Sequence, residues 1–161
     1  VIIRGRVWKF GDNISTDIII PGRYLRTSNY SLWPKHLMEG IDPTFSSKVR
    51  KGDIIVAGKN FGCGSSREQA VLAIKFAGIS AVVAESFGWI FFRNAINHGL
   101  PAIECPNITK YVETGDVIEI DLANGFIKTP KKTLMIKPYP KLIMDILNAG
   151  GLIQYYRRIR K

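Results

Sequence analysis

The sequence predicts an α/β domain with a largely parallel βαβαβ core and additional C-terminal strands. Three observations predict it. Short apolar runs at residues 53–57, 80–84 and 101–105 alternate with two stretches of helical spacing. The links between them are short, which implies parallel pairing through right-handed crossovers. After Cys105 the pattern changes to alternation, with a hairpin signal at Asn124-Gly125.

Residues 1–10 read as a strand, with a turn at Gly11-Asp12-Asn13. Residues 14–20 end in isoleucines that belong in a core, yet they carry Asp17. Pro21-Gly22 breaks the run. From Arg23 to Lys51 regular structure thins out. Tyr24, Tyr30, Trp33 and Phe45 stand among Ser, Asn and Arg, and Asp42-Pro43 suits the start of a short helix. A connection this long is usually functional or mobile. Its first part, residues 23–30, reads as a loop over a site. The alternative is a surface loop pinned by its own aromatics.

The core follows. A strand at 53–57 leads into a glycine-rich loop, and a helix then runs to Gly78 with Ala70, Val71, Ile74 and Ala77 on one face. Ser86 is the expected cap of the next helix, through Phe87, Ile90, Phe91 and Ala95, with Gly99 as its stop. In the last third, residues 117–121 alternate, 126–128 return and 133–137 form another strand. A helix at 141–149, ended by Gly150-Gly151, closes the chain.

Composition bounds the function. The 161 residues fit one domain, 1–161, large enough to bury a core without staples. No signal-peptide pattern and no bilayer-spanning run occur, so no membrane association is expected. Cys63 and Cys105 make no zinc or cluster pattern, and free thiols fit a cytoplasmic protein. The net charge of +10 suits an anionic substrate, an acidic partner or nucleic acid. The one dense basic run, Arg157-Arg158-Ile159-Arg160-Lys161, has no nucleic-acid signature beside it and reads as a solvated tail. A basic RNA-binding module is the alternative of another class.

The stretch that organises the chain is Gly58-Lys59-Asn60-Phe61-Gly62-Cys63-Gly64-Ser65-Ser66-Arg67-Glu68-Gln69-Ala70. Its glycines allow sharp turns and a close approach to a ligand. Ser65 with Glu68 reads as a capping box. First-turn N–H groups, the helix dipole and Arg67 favour a carboxylate or phosphate, with a hydroxyl beside it. A plain capped turn fits the same letters. The stretch lacks Gly-Lys-Ser/Thr, a third dinucleotide glycine and Gly-x-Ser-x-Gly, so it is no P-loop, dinucleotide site or nucleophile elbow.

Three separated stretches carry a family likeness. They are Gly11-Asp12-Asn13-Ile14-Ser15-Thr16-Asp17, the loop from Asn60 to Gln69, and Ser86-Phe87 with Phe92-Arg93-Asn94 and Asn97-His98-Gly99-Leu100-Pro101. In this order they resemble the swivel domain of the aconitase superfamily, a swivelling β/β/α domain. The length resembles its free-standing form, the small subunit of homoaconitase or isopropylmalate isomerase. The resemblance implies a hydro-lyase that is active only with a large subunit, as a heterodimer or heterotetramer. It implies a 4Fe-4S cluster bound by that large subunit and not by this chain. It implies Ser65 as the catalytic base, with Arg67 and Asp17 as catalytic partners. Ser66 and Gly64 fall where substrate carboxylate is bound.

The same resemblance places Tyr24, Leu25, Arg26 and Thr27 against the variable part of the substrate. Arg26 would face an extra carboxylate, which suits a homocitrate-like tricarboxylic acid. Opposite an isopropyl group its guanidinium would be desolvated and unpaired. A 3-isopropylmalate dehydratase small subunit is the alternative, with Arg26 turned to solvent or to the partner. His98 and Cys63 are set aside as a helix-end residue and a packing residue.

Overall fold

The computed structural model describes residues 2–26 and 29–160. Seven strands form one mixed sheet in the order β4-β3-β2-β1-β5-β6-β7. The three core strands appear as β2 (Ile54–Ala57), β3 (Ala81–Ala84) and β4 (Ala102–Glu104), all parallel. Each is a short apolar run because both faces are covered. Ile55, Ala57, Val82 and Ala84 point into one core cluster, while Ile54, Val56, Ala81 and Val83 point into the other.

β1 (Ile2–Lys9) joins the two halves of the sheet. Residues 7–9 pair in parallel with β2, and residues 2–6 pair antiparallel with β5 (Val117–Asp121). The first strand therefore adds a fourth member to the parallel core. Its period shows that it is a strand but not which neighbours it takes. β6 (Phe126–Lys128) and β7 (Thr133–Met135) complete the antiparallel half.

Two helices cover the parallel half, α3 (Glu68–Phe76) and α4 (Trp89–Asn97). Two single turns precede them, α1 (Thr16–Ile19) and α2 (Phe45–Lys48). Ser15 caps α1 by accepting from the Ile18 amide. Thr44, not Asp42, stands at the N-cap of α2, and Asp42 accepts from the Thr44 amide and hydroxyl. α5 (Lys141–Ala149) ends at Gly150 in the left-handed conformation, as the glycine pair predicts.

The cap expected at Ser86 is not formed. The α4 helix begins two residues late, behind Gly88. Ser86 Oγ instead accepts from the Asn60 amide at 2.8 Å, tying the loops after β2 and β3 together. Arg157 and Arg158 of the basic run lie on a further helix, α6 (Leu152–Ile159), with Arg160 at its C-cap; all three are solvent-exposed, as are Ile153, Tyr156 and Ile159.

Candidate functional site

The site is built at the carboxyl ends of β1 and β2, where a parallel sheet leaves its loops free to meet a ligand. The residue 58–67 loop takes an irregular path because its glycines permit it. Gly62 has φ +77°, and a Cβ there would collide with the Phe91 ring. Gly64 has φ +96°. The segment after β1 holds the loop from below. The Gly62 amide donates to the Ile14 carbonyl, the Thr16 amide to the Cys63 carbonyl, and the Thr16 hydroxyl to the Ser65 carbonyl at 2.8 Å. Thr16 is buried, so this last bond fixes the backbone of Ser65.

The capping box expected at Ser65 is not formed. Arg67 is the N-cap of α3, in an extended conformation with no side-chain cap bond, and the helix starts at Glu68. Ser65 and Ser66 stand before the helix on an arch held by Gly64 and by the Thr16 hydroxyl. Both are exposed, and among the described residues their hydroxyls have no hydrogen-bond partner. Glu68 does not reach back to Ser65. Its Oε1 lies 3.0 Å from Nε2 of His98, the C-cap residue of α4. His98 is thus a helix-end residue that also ties α4 to the start of α3.

Arg67 and Asp17 do come together. Arg67 Nη1 donates to Asp17 Oδ1 at 2.5 Å, and a Cβ at Gly22 would be in van der Waals contact with both groups. Asp17 projects from α1, one residue beyond the Thr16 that holds Ser65. One single-turn helix therefore positions both halves of the candidate site, the hydroxyl arch and the guanidinium. The guanidinium keeps N–H groups beyond the one given to Asp17, so it can meet a carboxylate.

The loop expected to read the substrate is arranged differently. The Tyr24 hydroxyl donates to Glu39 Oε1 at 2.6 Å, and its ring stacks on His36 at 3.8 Å. The Tyr24 hydroxyl thus spends its proton inside the loop. Leu25 and Arg26 line a cavity of about 340 Å³ with Tyr30, Trp33, Glu68, Gln69 and Leu72. Ser65, Ser66 and Arg67 are not among its lining residues, and Arg26 has no carboxylate partner among the described residues. Thr27 lies outside the described residues. A larger cavity, about 930 Å³, lies between residues 103–106 and 135–140, and no candidate site residue lines it.

Glu39 and His36 are residues that sequence reasoning passed over. The only signal for them was the density of aromatics around them, which leaves a carboxylate's partners unspecified.

No group of three or more His, Cys, Asp or Glu among the described residues could hold a metal ion. Cys105 is buried in the second core cluster, where burial, with Glu85 nearby, pushes its thiol up to about 11. The other cysteine, Cys63, is half-buried in the glycine loop. Among the described residues, no helix is long and apolar enough to cross a membrane.

Comparison with known proteins gives the family. Residues 22–108 match the aconitase C-terminal domain. The chain is 58% identical to the 3-isopropylmalate dehydratase small subunit of Halothermothrix orenii, over 94% of this chain and 93% of that one. It is 55% identical to the methanogen homoaconitase small subunit of Methanothermobacter thermautotrophicus, over 96% of this chain and 91% of that one. A crystal structure of 3-isopropylmalate dehydratase from Methanocaldococcus jannaschii superposes with a TM-score of 0.92 at 50% identity, over 99% of this chain and 96% of that one. The mixed seven-strand sheet, the Ser65–Arg67 arch and these matches agree, and the chain belongs to the aconitase family as a small subunit of its hydro-lyases.

Proposed function

We propose that this chain is the small subunit of a 3-isopropylmalate dehydratase, and that it folds as a single domain over residues 1–161. The observation that carries the reading is the pairing of an exposed, unpartnered Ser65 hydroxyl with the Asp17-oriented guanidinium of Arg67. The relatives' names favour an isopropylmalate-type acid over the homocitrate-like acid that Arg26 suggested in the sequence.

In this reading Arg67 binds the carboxylate next to the carbon that loses its proton. Negative charge builds on that carboxylate as the proton leaves, and a fixed guanidinium stabilises it. Ser65 takes the proton. A serine hydroxyl is a weak base, so its activation depends on the positive charge of Arg67 two residues on and on exclusion of water by a partner. Ser66 and the backbone at Gly64 complete the carboxylate site, and Asp17 keeps Arg67 aimed. The large subunit supplies the 4Fe-4S cluster, whose chemistry is Lewis-acid activation of the substrate hydroxyl. The complex works as a soluble cytoplasmic heteromer.

A second reading is the homoaconitase small subunit. It is favoured by Arg26, a cation without an ion-pair partner among the described residues, two positions beyond the anchored Tyr24. The deciding experiment reconstitutes the chain with its large subunit and competes isopropylmalate against homocitrate-type acids. Preference for isopropylmalate is the expected result. Preference for the tricarboxylic acid establishes the second reading, and turnover of neither overturns the hydro-lyase assignment.

A further inference from the structure

The segment between α1 and α2 has no long helix or strand, yet one carboxylate gathers its polar groups. Glu39 Oε1 accepts from the Tyr24 hydroxyl at 2.6 Å and from Arg23 Nη2 at 2.5 Å, and Oε2 lies 2.7 Å from His36 Nδ1. The Tyr24 ring lies parallel on the His36 ring, with an interplanar angle of 6°, and the Arg23 guanidinium sits 4.8 Å from its centroid. The Tyr24 carbonyl accepts from the indole of Trp33, a core residue.

The other side of this cluster is fixed to the site. The Met38 amide, next to Glu39, donates to the Ile19 carbonyl at the end of α1. That helix carries Asp17 and Thr16. Glu39 thus links the helix that aims Arg67 to the residue from which Leu25 and Arg26 depart. Its side chain is only 21% exposed, so its bonds are shielded. Burial alone would raise its carboxyl. The Tyr24 hydroxyl, His36 and Arg23 outweigh that and hold it below the ordinary carboxylate value.

We infer that Glu39 is a positioning residue for substrate selection: by holding Tyr24 against His36 it fixes where Leu25 and Arg26 stand relative to the Ser65–Arg67 arch. The inference rests on the hydro-lyase reading above. Glu39 touches no substrate. It acts through the backbone of residues 23–26, which without it keeps, among the described residues, two short-range turn bonds, Tyr24 N–H to Pro21 and Leu25 N–H to Gly22, and the bond from the Trp33 indole to the Tyr24 carbonyl. A loop so released samples several positions, and discrimination between substrates differing in one group then falls.

The test uses Tyr24→Phe, Glu39→Gln and Glu39→Ala, each reconstituted with the cluster-bearing large subunit. Two measurements are made: kcat/KM for isopropylmalate and for a homocitrate-type acid, and amide hydrogen exchange at residues 24 and 25 in the isolated small subunit. Tyr24→Phe keeps the ring stack and removes only the donor, so it guards against loss of folding. The expected result is faster exchange at both amides in every variant. The ratio of kcat/KM between the two acids should move about tenfold toward unity in Tyr24→Phe and further in Glu39→Ala, carried mainly by KM. Glu39→Gln, which keeps an acceptor, should fall between wild type and Glu39→Ala. Equal losses on both acids, or faster exchange with an unchanged ratio, would overturn the selection role. Unchanged exchange would overturn the clamp itself. A wild-type complex inactive on both acids would instead remove the hydro-lyase reading, and this role with it.

Discussion

Arg67 and Asp17 stand fifty positions apart in sequence, and the guanidinium donates to the carboxylate at 2.5 Å. Asp17 is 67% exposed, so the pair adds little to stability. In the proposed function its effect is orientation: one edge of the guanidinium is held so that another faces the ligand. Asp17→Asn should therefore change unfolding free energy by less than about 0.5 kcal/mol. It should raise KM roughly tenfold, because Arg67 is no longer held by a full charge. Arg67→Lys should cost on the order of 10²-fold in kcat/KM, since a point charge cannot meet Asp17 and a substrate carboxylate in one plane. Thermal melts together with steady-state kinetics of the complex check both. A large loss of stability in Asp17→Asn with unchanged KM would assign the pair a purely structural role.

Ser65 and Ser66 are separable by mutation. The Ser65 carbonyl is held by the Thr16 hydroxyl, so Ser65→Ala changes the side chain without freeing the backbone. Turnover should fall on the order of 10²-fold or more with KM little changed, as for loss of a proton acceptor. Ser66→Ala should mainly raise KM. The reverse pattern would move the base one residue along. Thr16→Val keeps the shape but removes the hydroxyl that fixes the arch, and it should lower kcat while Ser65 itself is intact.

Much of this was legible in the sequence. Strands β2, β3 and β4 announced themselves because a strand buried on both faces is a continuous apolar run between turn signals. The Gly-Ser-Ser-Arg motif suggested an anion site through its helix-start amides and Arg67, and a plain capped turn fitted the same letters. The errors share a cause. Ser65 and Ser86 both carry good capping side chains, but tertiary partners claimed the segments around them: Thr16 holds the Ser65 backbone and the Asn60 amide takes the Ser86 hydroxyl. Nothing in the sequence shows that Glu39, fifteen positions on, takes the Tyr24 hydroxyl. Strand β1 has the right period, but period does not reveal that it pairs parallel on one side and antiparallel on the other.

Asp53 gives the fold an acid-sensitive point. Its side chain is 7% exposed and accepts from Arg6, the Trp8 indole and the Arg50 amide at 3.1, 2.8 and 2.9 Å. Burial would raise its carboxyl, but these donors and the Arg6 charge hold it below the ordinary value. A depressed folded-state value means the stabilisation is present above the unfolded value, about pH 4. It is lost as pH falls through the lower, folded value. Asp53→Asn should cost about 1–3 kcal/mol at neutral pH. Its melting temperature should fall less steeply below pH ~4 than that of the wild type. Parallel pH–melting curves would show the carboxylate irrelevant.

Arg26 is where the two substrate readings diverge. Its side chain leaves the loop two positions after the anchored Tyr24 and lines the cavity beside the first turn of α3, together with Glu68 and Gln69. A carboxylate on the far end of a tricarboxylic acid would give it a partner. An isopropyl group would not, and burying the guanidinium against it unpaired costs several kcal/mol. In an isopropylmalate enzyme Arg26 must therefore stay in solvent or pair with the partner subunit. Arg26→Val removes the charge and adds apolar surface. Transition-state binding of the tricarboxylic acid should weaken by about 2–5 kcal/mol, as when one member of a buried charge pair is truncated. For isopropylmalate kcat/KM should hold or rise. Competition between the two acids, run on wild type and variant with the same large subunit, gives both numbers. Equal losses on both would mean that Arg26 contacts the partner subunit and reads no substrate.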